Sequence, residues 1–246
     1  MKIDLNADLA EGYGQDFELL QRVSSANICC GIHAGNAVEI INALHWAKQY
    51  HVRIGAHPSF PDRENFGRST MNLPANELKA HLLYQLGALQ TLCKSLDLTI
   101  DYVKPHGALY NQAAQDPVLA ELLVDTLLQF SPQIKLMGLS SSLLLQIAQT
   151  KGMQIISEVF ADRRYLSNGM LVPRSHHLAV IQSDDEAIAQ VIKMIREGKV
   201  TTIDNTEINV QADSICLHGD DEHALSFADK IRNALEKVGI KLANQP

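Results

Sequence analysis

The sequence contains few of the features that mark specialised protein classes. Its four cysteines have no C-x-x-C spacing, and the adjacent pair Cys29 and Cys30 cannot staple distant segments, so we expect reduced thiols. No apolar run approaches the ~20 residues of a membrane span, and the N-terminus carries charge where a signal peptide would be apolar. These absences predict a cytoplasmic protein.

Basic residues are also scarce. The 21 Lys and Arg residues against 28 Asp and Glu residues give a net charge of −7, and no dense basic cluster offsets it. A nucleic-acid or anionic-membrane partner is therefore not expected. The 46% hydrophobic and 20% charged residues are ordinary for a packed globular chain, and 246 residues can bury a core without disulfides.

Known nucleotide-binding and nucleophile loops are missing as well. The chain has no G-x-x-x-x-G-K-[ST] phosphate loop and no G-x-S-x-G elbow, and Gly12-Tyr13-Gly14 is not continued to a third glycine. We therefore expect that this chain does not bind a nucleotide on its own through a known loop.

Short apolar runs alternate with helical patterns along the whole chain. The runs have the length of buried strands and cover Ile3–Asp8, Ala26–Cys30, Val52–His57, Thr99–Lys104, Ile134–Leu139, Gln154–Phe160 and Ser214–His218. Strand–helix alternation predicts a mostly parallel sheet in one α/β domain over residues 1–246. From this pattern, a barrel and an open doubly wound sheet are equally supported.

Several helix starts are marked by their residues. Asn36 with Glu39 forms a capping box, Asp116 with Pro117 forms an N-cap and first turn, and Asp184 opens a later helix. Two segments interrupt the alternation. We interpret residues 161–183 and 199–213 as insertions near the site, the second containing a hairpin of Val200–Ile203 and Glu207–Val210.

Polar residues collect after the predicted strands. In a parallel sheet or barrel the carboxyl ends of the strands meet at one edge, so these side chains are expected to converge. They are Asn6, Asp8 and Glu11, then His33, His57 and Ser59, then Lys104 and His106, then Glu158, Asp162 and Arg163, and finally His218 and Asp220. Four histidines in this position, joined by acids, indicate a site rather than packing.

Each candidate also has an ordinary structural interpretation. Asp8 is equally well explained as a helix N-cap, whereas Lys104 is costly to bury without a purpose. Cys29 and Cys30 fit a buried strand, and Arg68 and Arg174 lie in loops expected near the site. From the residues alone, the sequence indicates hydrolysis, either by general acid–base catalysis or by a metal-bound water.

At these same residues the sequence resembles the LamB/YcsF family, the A subunits of the bacterial ATP-dependent 5-oxoprolinase. The resemblance lies in seven stretches spread in order over nearly the whole chain. They cover residues 5–14, 27–35, 55–62, 66–68, 103–111, 158–163 and 216–220. The sequence departs only mildly from the family pattern. Ala10 stands where the family usually has Gly, Asn36-Ala37 stands where Asp-Pro is usual, and Ser69 stands where a second Arg often follows.

The resemblance implies a fold, a reaction and partners. The fold would be an irregular seven-stranded (β/α) barrel related to glycoside hydrolases and deacetylases. The reaction would open the 5-oxoproline lactam to glutamate with ATP, supplied with Mg²⁺ to the complex, and with the B and C subunits as partners. We expect the partners to activate the lactam by phosphorylation and this chain to add water.

Roles for individual residues follow as hypotheses. The catalytic set is Asp8, Glu11, Lys104, His106 and Asp162, with Asp8 or Glu11 paired with His106 for acid–base work. Lys104, Arg163 and Arg174 are assigned to the substrate carboxylate or departing phosphate. The wider substrate-binding set is Asn6, His33, His57, Ser59, Arg68, Arg163, Arg174, His218 and Asp220.

Two alternatives stay open at this point. In the first, Asp8, His33 and His106 hold a divalent metal in a carbohydrate deacetylase-like hydrolase. In the second, the chain is a non-catalytic scaffolding subunit.

Overall fold

The computed structural model describes residues 1–217 and 224–243, which form eight helices and ten strands. The strands are β1 (Lys2–Leu9), β2 (Ser25–Cys29), β3 (Arg53–His57), β4 (Tyr102–Val103), β5 (Lys135–Leu139), β6 (Ile155–Phe160), β7 (Lys199–Thr201), β8 (Glu207–Asn209), β9 (Ser214–Leu217) and β10 (Lys241–Leu242). The helices are α1 (Asp16–Leu20), α2 (Ala37–Gln49), α3 (Ala75–Ser95), α4 (Gly107–Ala113), α5 (Pro117–Phe130), α6 (Leu143–Thr150), α7 (Asp184–Glu197) and α8 (Ala224–Lys237).

Seven parallel strands close into a barrel. Strands β1 to β6 pair in sequence order, β6 pairs with β9, and β9 returns to pair with β1. This confirms the seven-stranded barrel and excludes the open sheet. Strand β4 is shorter than predicted, at two residues, and Pro105 beyond it has no N–H with which to extend the ladder.

The helices form where capping and apolar periodicity agree. Asn36 accepts hydrogen bonds from the backbone N–H groups of Val38 and Glu39, and Asp116 caps α5 in the same way. The cap of α7 is Ser183, one residue before the Asp184 that the sequence indicated. The short elements α1, α4, α6 and β10 were not predicted because they carry too few residues for a clear period.

The two insertions lie where the alternation broke. Strands β7 and β8 form the predicted antiparallel hairpin, with Lys199 opposite Asn209. Residues 161–183 form a strap with isolated bridges between Arg163 and Val180 and between Tyr165 and Leu171. Within the described ranges, no helix is both long and apolar enough to cross a bilayer.

The amino end of the barrel is closed by a compensated polar network. The Asp4 carboxylate accepts hydrogen bonds from the hydroxyls of Ser24 and Ser25, at 2.7 and 2.6 Å, and from that of Ser214. Arg53 completes the network with an ion pair to Asp4 of 3.1 Å. Both oxygens of the Asp4 carboxylate therefore face hydrogen-bond donors, as burial requires.

Candidate active site

A cavity of about 400 Å³ opens at the carboxyl ends of the strands. Its walls come from the ends of β1, β3, β4 and β6, from α4 and from the strap. The polar and charged residues that line it are Asp8, Glu11, His57, Arg68, Thr70, Lys104, His106, Tyr110, Asn111, Gln112, Gln115, Arg163 and Arg174. Six of the thirteen residues expected to converge line this cavity, namely Asp8, Glu11, His57, Lys104, His106 and Arg163.

A tight turn after β1 brings Glu11 back over the barrel mouth. Ala10 adopts a left-handed φ of 62°, which explains why a Gly at this position would be accommodated easily. Gly35 packs against this turn so closely that a Cβ there would lie 2.1 Å from the Ala10 carbonyl oxygen. The close approach of the two loops places His33 beside Glu11.

Four side chains form a cluster that we call the acceptor cluster: Glu11, His33, His57 and His106. Glu11 Oε1 lies 2.9 Å from His33 Nε2, 3.4 Å from His106 Nδ1 and 3.8 Å from His57 Nε2. The imidazole rings of His33 and His106 stack with centroids 3.8 Å apart. The cluster is thus a compact group of three nitrogens and one carboxylate oxygen.

Backbone carbonyls fix the tautomers of two of these histidines. His57 Nδ1 lies 2.7 Å from the Lys104 carbonyl oxygen, and His106 Nε2 lies 2.8 Å from the Phe66 carbonyl oxygen. A carbonyl can only accept, so both of these ring nitrogens carry hydrogen. The remaining nitrogens, His57 Nε2 and His106 Nδ1, then point lone pairs at each other across 3.0 Å. Such a contact is stable only with a proton or another cation between them.

The charges of the neighbours set the protonation states. Burial raises the pKa of Asp8, but the charges of His57 and Lys104 outweigh burial and hold it well below its usual value. Burial and the Asp8 charge raise the pKa of Glu11 to about 7. Burial lowers the pKa of His57, yet Asp8 outweighs this and raises it overall. Asp8 is therefore the ionised carboxylate of the site.

The other two histidines stay neutral. Burial, followed by the charge of His57, lowers the pKa of both His33 and His106 to about 2. Each of these two rings consequently keeps one nitrogen with a free lone pair over the physiological pH range.

The acceptor cluster fits a divalent metal ion. Its four ligand atoms lie within 4.8 Å of one another, and three imidazoles with one carboxylate are ligands typical of zinc and similar ions. The carbonyls that bind the far nitrogens of His57 and His106 are the outer contacts that metal-binding histidines usually have. This set differs from the sequence hypothesis of Asp8, His33 and His106, because Glu11 and His57 join the histidines and Asp8 lies beside them.

Asp8 instead belongs to a second group in the barrel lumen. Its Oδ1 accepts from Lys104 Nζ at 2.9 Å and from Asn27 Nδ2 at 2.7 Å, and its Oδ2 lies 3.3 Å from His57 Nε2. Lys104 is 3% exposed and also lies 2.8 Å from Glu158 Oε1. Burial lowers the Lys104 pKa, but the negative charges of Asp8 and Glu158 outweigh burial and raise this pKa well above its ordinary value.

The remaining predicted residues fall into three groups. Arg68 and Arg174 line the cavity, as does Arg163, although the Arg163 guanidinium donates to the carbonyls of Val172 and Ala179 and so binds the strap. Asn6, Ser59 and Asp162 do not line it. His218 and Asp220 lie outside the described residues.

The buried positions of Asn6 and Ser59 have clear causes. Asn6 lies inside the barrel and donates to Ser214 Oγ at 2.7 Å. Ser59 is fully buried, and its hydroxyl donates to the Phe60 carbonyl. The chain leaves β3 at His57, and Pro58 starts a loop, so the alternation of strand side chains does not continue to Ser59.

The sequence analysis did not assign roles to three residues that contact this group. Glu158 pairs with Lys104, Tyr110 donates to Glu158 Oε2 at 2.7 Å, and Asn27 donates to Asp8. One signal was present, since Glu158 is a charged residue within an apolar strand. Tyr110 and Asn27 have no such sequence signal.

The fold and the site define a class of (β/α)-barrel proteins with a polar, histidine-rich cavity at the carboxyl end of the strands. Within it, the chain belongs to the LamB/YcsF family, whose sequence profile matches residues 3–246. This confirms the resemblance found in the seven motifs.

Curated relatives and a solved structure match over almost the full length. The chain is 58% identical over 239 residues to the 5-oxoprolinase A subunit of Histophilus somni, covering 97% of both chains. It is 56% identical over 242 residues to the protein of that name from Neisseria meningitidis, covering 98% of this chain and 99% of the other. The crystal structure of the lactam utilization protein of Thermus thermophilus superposes with a TM-score of 0.92 at 39% identity, covering 100% of both chains.

A more distant likeness concerns the fold alone. A family 4 carbohydrate esterase from Streptomyces lividans superposes with a TM-score of 0.52 at 10% identity, covering 98% of this chain and 91% of the other. The predicted relation to deacetylase barrels is thereby confirmed for the architecture.

Proposed function

We propose that this chain is the hydrolytic subunit of an ATP-dependent 5-oxoprolinase, which opens 5-oxoproline to L-glutamate. The observation that carries the proposal is the 58% identity, over 97% of both chains, to a protein named as the A subunit of 5-oxoprolinase. The site supports the same chemistry, because it places an ionised carboxylate, neutral imidazoles and guanidinium groups around one cavity.

The relatives are named as A subunits, which supports the existence of partners that contribute other steps. A five-membered lactam resists hydrolysis, so activation by phosphorylation of its oxygen from ATP is assigned to the B and C subunits. One water then adds to the activated carbon and the ring C–N bond breaks, giving an acyl phosphate. A second water releases phosphate and glutamate, so that one ATP and two waters are consumed.

Within this chain, Asp8 is assigned as the base that takes the proton from water. Its Oδ1 is held by Lys104 and Asn27, and its Oδ2, which lies 3.3 Å from His57 Nε2, is assigned as the oxygen that accepts the proton. Arg68 and Arg174 line the cavity and are assigned to the substrate carboxylate or the phosphate, because guanidinium groups match both in shape and charge.

A divalent metal, if the protein carries one, would be held by Glu11, His33, His57 and His106. Such an ion supplies a Lewis acid that lowers the pKa of water and polarises a carbonyl oxygen. The remaining duties, which are to orient the substrate and to accept the proton at Asp8, belong to this chain's own residues.

The proposal is tested by measuring glutamate formation from 5-oxoproline and MgATP with the purified chain, alone and with its partner subunits. We expect little activity alone and ATP-dependent turnover in the assembled complex. Strong nucleotide turnover by the chain alone would contradict the division of labour. Full activity of a complex in which Asp8 is changed to Asn would favour a scaffolding subunit.

A second assay distinguishes 5-oxoproline hydrolysis from the alternative of a metal-dependent deacetylase. Elemental analysis of the purified chain, followed by chelation and restoration of Mg²⁺ for ATP, determines whether turnover needs an ion in the acceptor cluster. A stoichiometric ion together with acetate release from acetylated sugars, and no action on 5-oxoproline, would favour the deacetylase alternative.

A further inference from the structure

The lumen of the barrel holds a buried group of charges that no ordinary packing need explains. Glu158 is fully buried on β6, with Oε2 accepting from the Tyr110 hydroxyl at 2.7 Å and Oε1 lying 2.8 Å from Lys104 Nζ. Desolvating such a pair costs about as much as its attraction returns, and apolar residues of similar size would serve the fold as well. The pair is therefore better explained by its position than by stability.

Lys104 spans the barrel from its place after β4. Besides Glu158, its ammonium lies 2.9 Å from Asp8 Oδ1 on β1, 3.3 Å from Asn6 Oδ1 and 3.3 Å from Cys216 Sγ on β9. An ammonium has three N–H donors, and these four acceptors use all of them. Lys104 is thus fully committed to the protein and acts on a substrate only through Asp8.

We propose that Glu158 is a positioning residue, which holds the Lys104 ammonium against Asp8 Oδ1 and so fixes the Asp8 carboxylate for catalysis. This inference rests on the proposed function, in which Asp8 accepts the proton of water. Glu158 lies on β6 and Asp8 on β1, two strands that β9 separates, so the ammonium is held by carboxylates from two different strands. With Glu158 replaced by a neutral residue, the ammonium loses one of its two ionic contacts, and the Asp8 carboxylate loses the constraint that a fixed Lys104 provides in addition to Asn27.

The structure predicts that loss of Glu158 lowers kcat and leaves KM nearly unchanged. Glu158 does not line the cavity, whereas Asp8 and Arg174 do. A Glu158→Gln change keeps the size of the side chain and removes its charge. We expect kcat of the assembled complex to fall by about tenfold or more, as for other residues that orient a reacting group, with KM for 5-oxoproline changed less than about twofold.

A matched control is Glu186→Gln, which removes the same charge from the Arg164–Glu186 pair on the surface of α7. Both constants should stay at wild-type values. A Glu158→Gln enzyme with wild-type kcat would overturn the inference, and so would one in which only KM rises.

A double-mutant cycle tests whether Glu158 acts through Lys104. Lys104→Met leaves two buried carboxylates, Asp8 and Glu158, without their shared cation, so we expect severe loss of kcat and a lowered melting temperature. Adding Glu158→Gln to this variant should cause no further loss of kcat and should raise the melting temperature, because one unpaired charge is removed. Losses that multiply would show independent action and overturn the inference.

The melting temperatures also separate this inference from the proposed function. If the assembled wild-type complex does not act on 5-oxoproline, the function is wrong, and the four melting temperatures of the cycle still decide the Glu158–Lys104 coupling. Additive changes in melting temperature would overturn the inference, because Glu158 would then not hold Lys104, and non-additive changes would show the Glu158–Lys104 contact on which the positioning role depends.

Discussion

The two ends of the barrel use polar residues in opposite ways. At the amino end, the Asp4 carboxylate faces three hydroxyl donors and the Arg53 guanidinium. At the carboxyl end, His57 Nε2 and His106 Nδ1 lie only 3.0 Å apart while their other ring nitrogens donate to carbonyls, so a proton or another cation must lie between them. Donors match acceptors at the first end without any added group, whereas the second end is balanced only by a bound proton or cation. The comparison shows that a site for a cation or a proton can be located by counting donors and acceptors.

The largest loss of turnover should come from a change of Asp8, the carboxylate at the carboxyl end of the barrel. Asp8→Asn removes the proposed base while keeping its shape, and we expect turnover of the assembled complex to fall about a thousandfold. Asp125→Asn on α5, which alters an exposed pair with Lys151, provides the control and should leave turnover unchanged. A modest loss for Asp8→Asn would assign the base to another group.

The amino end should respond in stability and not in catalysis. Asp4→Asn removes the charge that pairs with Arg53 and replaces one carboxylate oxygen by an NH2 donor that faces other donors, so we expect a loss of about 2–3 kcal/mol in unfolding free energy. Urea denaturation measures this loss, and turnover at low temperature should stay within about twofold of wild type. If a fully folded Asp4→Asn protein lost most of its turnover, the amino end would also contribute to catalysis and the proposed difference between the two ends of the barrel would be wrong.

Metal affinity should distinguish the acceptor cluster from isolated histidines. His33→Gln removes one of its four ligands, and we expect zinc binding by calorimetry to weaken about 10–100-fold. The exposed His45 on α2 is the matched control, since His45→Gln removes an imidazole far from the cluster. Equal zinc binding by both variants would show that the excess of acceptors is satisfied by a proton alone.

The smallest effect tests whether a polar residue affects catalysis because of its position near the carboxyl end or because its hydrogen-bond acceptors lack donors. Asn36 lies near the carboxyl end, but its side chain accepts from two backbone N–H groups of α2 and is fully matched. Asn36→Ala should therefore cost about 1 kcal/mol of stability, as for other helix caps, with turnover unchanged. Thermal melting and the 5-oxoprolinase assay together check this expectation. A catalytic defect would show that location matters more than donor balance.

Much of the fold followed from the sequence because each βα unit is a local pattern. Strand runs such as Ile134–Leu139 are bounded and apolar, and parallel pairing then brings their carboxyl ends together. Barrel closure required the family resemblance, since the pairing of β1 with β9 joins residues about 210 positions apart and leaves no local signal.

The candidate site was predicted less completely, for geometric reasons. The sequence grouped Asp8 with His33 and His106, whereas in the structure Asp8 lies 3.3 Å from His57 and the left-handed turn at Ala10 brings Glu11 within 2.9 Å of His33. Arg163 was expected to bind substrate because it follows β6, whereas its guanidinium binds the carbonyls of the strap. Such outcomes depend on backbone turns and on carbonyl directions, which residue types do not encode.

The polar side chains that fill the lumen also limit the routes by which a molecule can reach the cavity. Below Asp8, the space inside the strands is occupied by Asn6, Asn27, Tyr102 and Ser214, all of them fully buried and joined by hydrogen bonds. Over the residues that the structure describes, the lumen therefore offers no passage from the cavity to the amino end of the barrel. The cavity is reached from the carboxyl side, and a product must leave it before the next substrate binds there.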